Sequence, residues 1–172
     1  MSATGGLALC DCRADKDEKI VERNHPKCLT EMTELSDKNK RASQFIQALP
    51  HSVALGMELE ELGGGTAVIV MPYAEKLIGD PKTGVVHGGA VSALMDTTCG
   101  AAVMSHPSNP ALTATMDLRI EYLRAATPGQ RITTRATCYH VTRSVAFVRA
   151  TAMDEDAESP VATATGTFTV GG

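Results

Sequence analysis

The segment "VVHGGAVSALMDTTCGAAV", Val85 to Val103, limits the folds open to this chain more than any other. It contains no proline, consists mostly of small and apolar residues, and has the length of one extended helix ending near Met104. Its flanks read differently. "VALGMELEELGGGTAVIVMP" gives two strands around Gly63-Gly64-Gly65, and "YAEKLIGDPKTG" gives a loop. After the break "HPSNP" come four more strand candidates, Leu112–Leu123, Arg131–Thr142, Ser144–Asp154 and Val161–Val170. Signals such as "TPGQ" and "DEDAESP" separate some of these, and strands joined by short turns pair antiparallel. One long helix on one face of such a sheet is an α+β domain.

The rest of the composition narrows the function classes. The chain has 172 residues, 43% hydrophobic and 21% charged, which suits one globular domain. Aromatics make up only 3%, so the core must come from Val, Ala, Leu, Met and Thr, and no aromatic platform exists for stacking bases. A net charge of -4 argues against general nucleic-acid binding. No apolar run approaches the ~20 residues of a membrane span. The N-terminal stretch lacks the basic and apolar regions of a secretory signal. Five scattered cysteines read as reduced thiols, which implies a cytoplasmic protein.

Residues 1–50 hold 16 charged residues, against 20 in residues 51–172. Residues 1–30 read as a disordered extension, 31–50 as an N-terminal helix and 51–172 as the main domain. Ser36 can cap that helix, and Ala42, Phe45, Ile46 and Leu49 share one face. Cys10, Cys12, His25 and Cys28 are metal-ligand types, but their spacing matches no zinc pattern.

The long helix carries the chemistry. Taking Gly88 as its start, no Ser, Thr, Asp or Asn directly precedes it, so no adjacent side chain is expected to occupy its first N–H groups. Gly88 and Gly89 let another molecule approach those donors, which suit a polarised carbonyl oxygen. The glycines also fit a simple tight junction; Asp96 favours the functional reading. At about 100° per residue, Gly89, Ser92, Ala93, Cys99, Gly100 and Val103 lie within roughly 60° of Asp96, an open face of small residues. Val91, Leu94, Ala101 and Ala102, with Met95 at the flank, should face the sheet. Gly89 and Asp96 sit ~10 Å apart along the axis. One copy therefore cannot easily bring both to one carbonyl, but two antiparallel copies could. Cys99 reads as packing, since an adjacent carboxylate disfavours a thiolate.

His87-Gly88-Gly89 followed by Asp96, in a helix between a hairpin and four strands, resembles the hotdog-fold acyl-CoA thioesterases. The most similar group is that of phenylacetyl-CoA and medium-chain acyl-CoA thioesterases in the 4-hydroxybenzoyl-CoA thioesterase superfamily. The resemblance covers about Ala48 to Val170 and rests on "TGVVHGGAVSALMD", "TMDLRIEYLRAATPG" and "TRSVAFVRA". It implies a sheet wrapped around one central helix and hydrolysis of an acyl-CoA by a homodimer or a dimer of dimers, with no metal or cofactor. Asp96 would be general base or nucleophile. The partner's Gly88 and Gly89 backbone would polarise the carbonyl, with His87 shaping the turn and Thr115 orienting the carboxylate or water. Arg124, Arg143 and Ser144 would contact coenzyme A. In one place the chain departs from the pattern: related sequences often carry an asparagine before the histidine where this chain has Asp80, exchanging an amide donor for a charge.

The residues agree with that chemistry, since thioester hydrolysis needs an activated water or carboxylate nucleophile and donors for the oxyanion. A non-catalytic acyl-CoA sensor on the same fold is the alternative. A hydratase would need an Asp/His or His/Glu pair, and none is evident.

Overall fold

The structure is a computed structural model that describes residues 44, 48–108 and 112–171. The expected extension, the group Cys10, Cys12, His25 and Cys28, and nearly all of the helix expected after Ser36 lie outside the described residues. The elements are α1 (Pro50–Ala54), β1 (Glu58–Gly63), β2 (Thr66–Met71), a 3-10 turn (Glu75–Leu77), β3 (Ile78–Asp80), β4 (Val85–Val86), α2 (Gly88–Met104), β5 (Thr115–Tyr122), β6 (Ile132–Val141), β7 (Val145–Met153) and β8 (Ala162–Thr169).

Six strands form one antiparallel sheet in the order β1-β2-β6-β7-β8-β5, and β3 and β4 make a separate small hairpin. The expected α+β architecture is present, with the sheet wrapped around α2. Two local expectations fail. Pro50 opens a short helix where the sequence reads directly as strand, because a proline in the first helical turn forfeits no ladder bond. The first strand therefore begins at Glu58, not near Val53. The stretch before His87, expected as loop, contains β3 and β4, which are too short to give a periodic signal.

Packing follows from small side chains. Ala67, Ala136, Ala150, Ala152, Ala162 and Ala164 line the inner face of the sheet and are buried, so α2 lies close against it. Ile69, Met71, Ile132, Val148 and Phe168 fill the remaining space. On α2, Leu94 and Met95 are fully buried, each contributing about 1.5–3 kcal/mol. Gly63 pairs with Thr66 across a two-residue turn in which Gly64 and Gly65 have φ of 61° and 81°, the left-handed geometry that a tight hairpin demands.

The edge strand β5 has an irregularity with consequences for the site. Thr115 pairs with Phe168 and Asp117 with Thr167, so Met116 is an extra residue, a β-bulge. Thr115 and Tyr122 are seven residues apart and would face opposite ways in a regular strand. The bulge turns both toward α2. Gly166 makes room for this, because a Cβ there would lie 2.5 Å from the Asp117 carbonyl oxygen.

Candidate active site

At the start of α2, His87 is the N-cap in an extended conformation, and its own N–H donates to the Leu77 carbonyl at 2.7 Å. Its ring corrects the expectation of uncapped donors: Nδ1 accepts the Gly89 N–H at 2.9 Å. Sequence rules for capping favour short oxygen-bearing side chains and overlook an imidazole in this role. An accepting Nδ1 leaves the proton of the neutral ring on Nε2. The His87 carbonyl accepts the Ala90 N–H at 2.9 Å, while the Gly88 N–H has no acceptor among the described residues. The Gly88 carbonyl accepts from the Tyr122 hydroxyl at 2.7 Å and from Ser92 Oγ at 3.2 Å.

Two turns further along, Asp96 is partly exposed and accepts a hydrogen bond from Thr115 Oγ1 at 2.7 Å. No ion pair involves it among the described residues. The exposed stripe of α2 is Gly89, Ser92, Ala93, Asp96, Thr97 and Gly100, ending at Met104. Cys99 and Val103, expected on this face, are instead buried in the core. Burial, with a smaller contribution from the Asp96 charge, pushes the Cys99 thiol up to about 12. It is therefore not a nucleophile at neutral pH.

Asp96 borders a cleft of about 310 Å³ that includes Thr97, Gly100, Met104, Thr115 and Phe168. His51 of α1 borders this cleft and also a second one beside His87 and Gly89. A third cleft, about 300 Å³ and mostly apolar, runs past Gly88, Val91, Tyr122 and Ala126. Sequence reasoning passed over His51 and Tyr122 and placed Ser92 on the open face without giving it a role. A role for Ser92 was within reach, since it lies one helical turn from Gly88; Tyr122 carries no local signal.

The residues expected to hold coenzyme A separate into two groups. Arg124 is engaged within its own chain. Its guanidinium makes a bidentate pair with Asp154, both contacts 2.6 Å, and also donates to the Ser159 and Ala125 carbonyls. Asp80, at the place before the histidine where related sequences often carry an asparagine, is engaged within its own turn, accepting from the Lys82 N–H at 3.1 Å and from Thr83 Oγ1 at 2.8 Å. Arg143 and Ser144 are exposed at the β6–β7 turn, which Thr142 Oγ1 organises by accepting the Val145 N–H at 3.0 Å. Among the described residues, no group of three or more His, Cys, Asp or Glu could hold a metal ion, and no helix is long and apolar enough to cross a membrane.

A protein-family model described as "Thioesterase superfamily" matches residues 83–161, which contain the helix start, Asp96 and Thr115. The medium/long-chain acyl-CoA thioesterase YigI of Escherichia coli (strain K12) is 26% identical over 140 residues, covering 74% of this chain and 89% of the relative. A Pseudomonas aeruginosa protein of known crystal structure is 38% identical with a TM-score of 0.68, over 76% of this chain and 97% of that one. A mutant of the phenylacetic acid degradation protein PaaI from Thermus thermophilus is 27% identical with a TM-score of 0.62, over 70% and 98% of the two chains.

Proposed function

This chain belongs to the thioesterase superfamily, and on that premise we propose that it is an acyl-CoA thioesterase with Asp96 as the group that activates the attack. One observation carries the proposal: a carboxylate on the exposed stripe of α2, oriented by Thr115 at 2.7 Å and neutralised by no cation among the described residues. A carboxylate with a purely structural role would be expected to have a charged partner or several donors.

Asp96 takes a proton from water, and the water oxygen attacks the thioester carbonyl carbon. The developing oxyanion accepts from a backbone N–H at the start of α2. The C–S bond then breaks, sulfur leaves with the electron pair, and the proton held by Asp96 returns to the thiolate. Direct attack by Asp96, giving an anhydride that water opens, uses the same groups. Because His87 occupies the Gly89 N–H, the donor in this scheme is the Gly88 N–H. Gly88 and Asp96 stand eight residues apart, ~12 Å along the axis, which favours pairing the Asp96 of one protomer with the Gly88 of its partner. A homodimer or dimer of dimers built on the open stripe of α2 supplies that geometry. Arg143 and Ser144 are the candidates for contacting coenzyme A.

The test is thiol release from a panel of acyl-CoAs. The wild type should hydrolyse at least one chain length, and Asp96→Asn and Asp96→Ala should lose about 10²–10⁴-fold in kcat while still binding substrate. Full activity in Asp96→Ala would remove it as the base. Tight acyl-CoA binding by a wild type that frees no thiol would favour the sensor alternative.

A further inference from the structure

We propose that Tyr122, supported by Ser92, is a positioning residue for this hydrolysis: it fixes the Gly88–Gly89 peptide on one side of the Gly88 Cα, while the His87–Gly88 peptide, which carries the Gly88 N–H, is held through its carbonyl by the Ala90 N–H at 2.9 Å, and together they keep that N–H aimed at the reacting carbonyl. The inference rests on the thioesterase reading above. Two consecutive glycines form the most flexible backbone available to the chain, and a donor that must meet an oxyanion within a few tenths of an ångström cannot be left to that freedom. The peptide is held from both sides. On its N–H side, Gly89 is bonded to His87 Nδ1 at 2.9 Å. On its carbonyl side, Gly88 accepts from Tyr122 at 2.7 Å and from Ser92 Oγ at 3.2 Å, and the two hydroxyls lie 2.6 Å apart. The two hydroxyls carry one proton each for these three contacts, so with the Tyr122 proton on the Gly88 carbonyl, Ser92 donates either to that carbonyl or to the Tyr122 oxygen, and both choices tie it to the same small network.

Core packing does not account for this tyrosine. It is 49% exposed at the end of an edge strand, and its hydroxyl, not its ring alone, makes the contacts. The strand it ends also begins at Thr115, which orients Asp96. One strand thus grips both functional points of α2, the carboxylate at its first residue and the amide turn at its last. The bulge at Met116 is what lets both side chains face the helix. The ring lies directly against this turn: a Cβ at Gly88 would stand in ordinary van der Waals contact with Tyr122 Cζ and its hydroxyl oxygen, both at 3.6 Å.

The experiment compares wild type, Tyr122→Phe, Ser92→Ala and the double variant as full chains. It measures kcat and KM, affinity for an acyl-CoA thioether that lacks the carbonyl, and amide exchange at Gly88 and Gly89. Tyr122→Phe should lower kcat about tenfold while KM and thioether affinity stay within about twofold, because only the transition state uses the aimed amide. Ser92→Ala should lose less, the double variant should lose less than the product of the two, and the bonded Gly89 N–H should exchange faster, with Gly88, which has no acceptor among the described residues, fast throughout. Unchanged kcat in Tyr122→Phe overturns the inference even if exchange quickens, and leaves the thioesterase reading standing. Equal losses in kcat and thioether affinity overturn it as well, since they would mark general damage to the site. A wild type inactive on every acyl-CoA overturns both, and a failure of the thioesterase reading is recognised by that outcome alone.

Discussion

Gly88 and Gly89 are identical in the sequence, yet only one has a spare donor, because the His87 ring accepts the N–H of the other. Similar reassignment governs Arg124. Its cation looks available for a phosphate until Asp154, thirty positions away, is brought against it. The hydrogen bonds from Arg124 hold the Asp154 carboxyl well below the usual carboxylate range, overcoming burial that acts the other way, with help from the Thr127 and Asp156 N–H groups. A depressed folded value means that the pair stabilises the fold fully above the ordinary aspartate range near ~4, and loses that effect as pH falls toward the folded value. Asp154→Asn should therefore melt several degrees below wild type at pH 7. In thermal melts from pH 7 to pH 3 the gap should narrow below about pH 4; a gap that stays constant would contradict the assignment.

At the level of elements, β5 decides the geometry of the site. Its span is legible from the sequence to within three residues at its start, but its parity is not, since a bulge is a property of the pairing with β8. Gly166 on β8 records that close approach. Gly166→Ala would force a methyl within 3.2 Å of the Leu118 Cα as well as onto the Asp117 carbonyl oxygen. It should destabilise the protein by about 1–3 kcal/mol in urea unfolding and lower hydrolysis by disturbing Thr115. A neutral result would mean that β5 can shift at no cost. The short elements α1, β3 and β4 escape the sequence for a simpler reason. Five residues or fewer cannot display a helical or strand period, and their conformation is imposed by what they lie against.

For the whole molecule, the open stripe of α2 and the edge of β5 that has no partner among the described residues are accompanied by exposed apolar side chains. Leu112 is 74% exposed, Met116 60% and Met104 39%. Exposed apolar groups beside an unpaired strand edge suit a second copy of the chain. The expected outcome in sedimentation is a dimer or tetramer, with Met116→Lys shifting the protein toward monomer and losing hydrolysis in parallel. A fully active monomer would exclude a site shared between protomers.

The sequence by itself determined what short-range periodicity can encode. The six strands of the main sheet, their separation by one helix, the span Gly88–Met104 and the grouping of His87, the two glycines and Asp96 all follow from spacings of two to nine residues. The tertiary structure alone decided which of those groups are free to act. Thr115 reaches Asp96 across 19 positions, Tyr122 reaches Gly88 across 34, and Arg124 reaches Asp154 across 30. Hydrogen bonds of that kind depend on strand order and on one bulge, and distances in space between such residues have no counterpart in the local pattern of the chain.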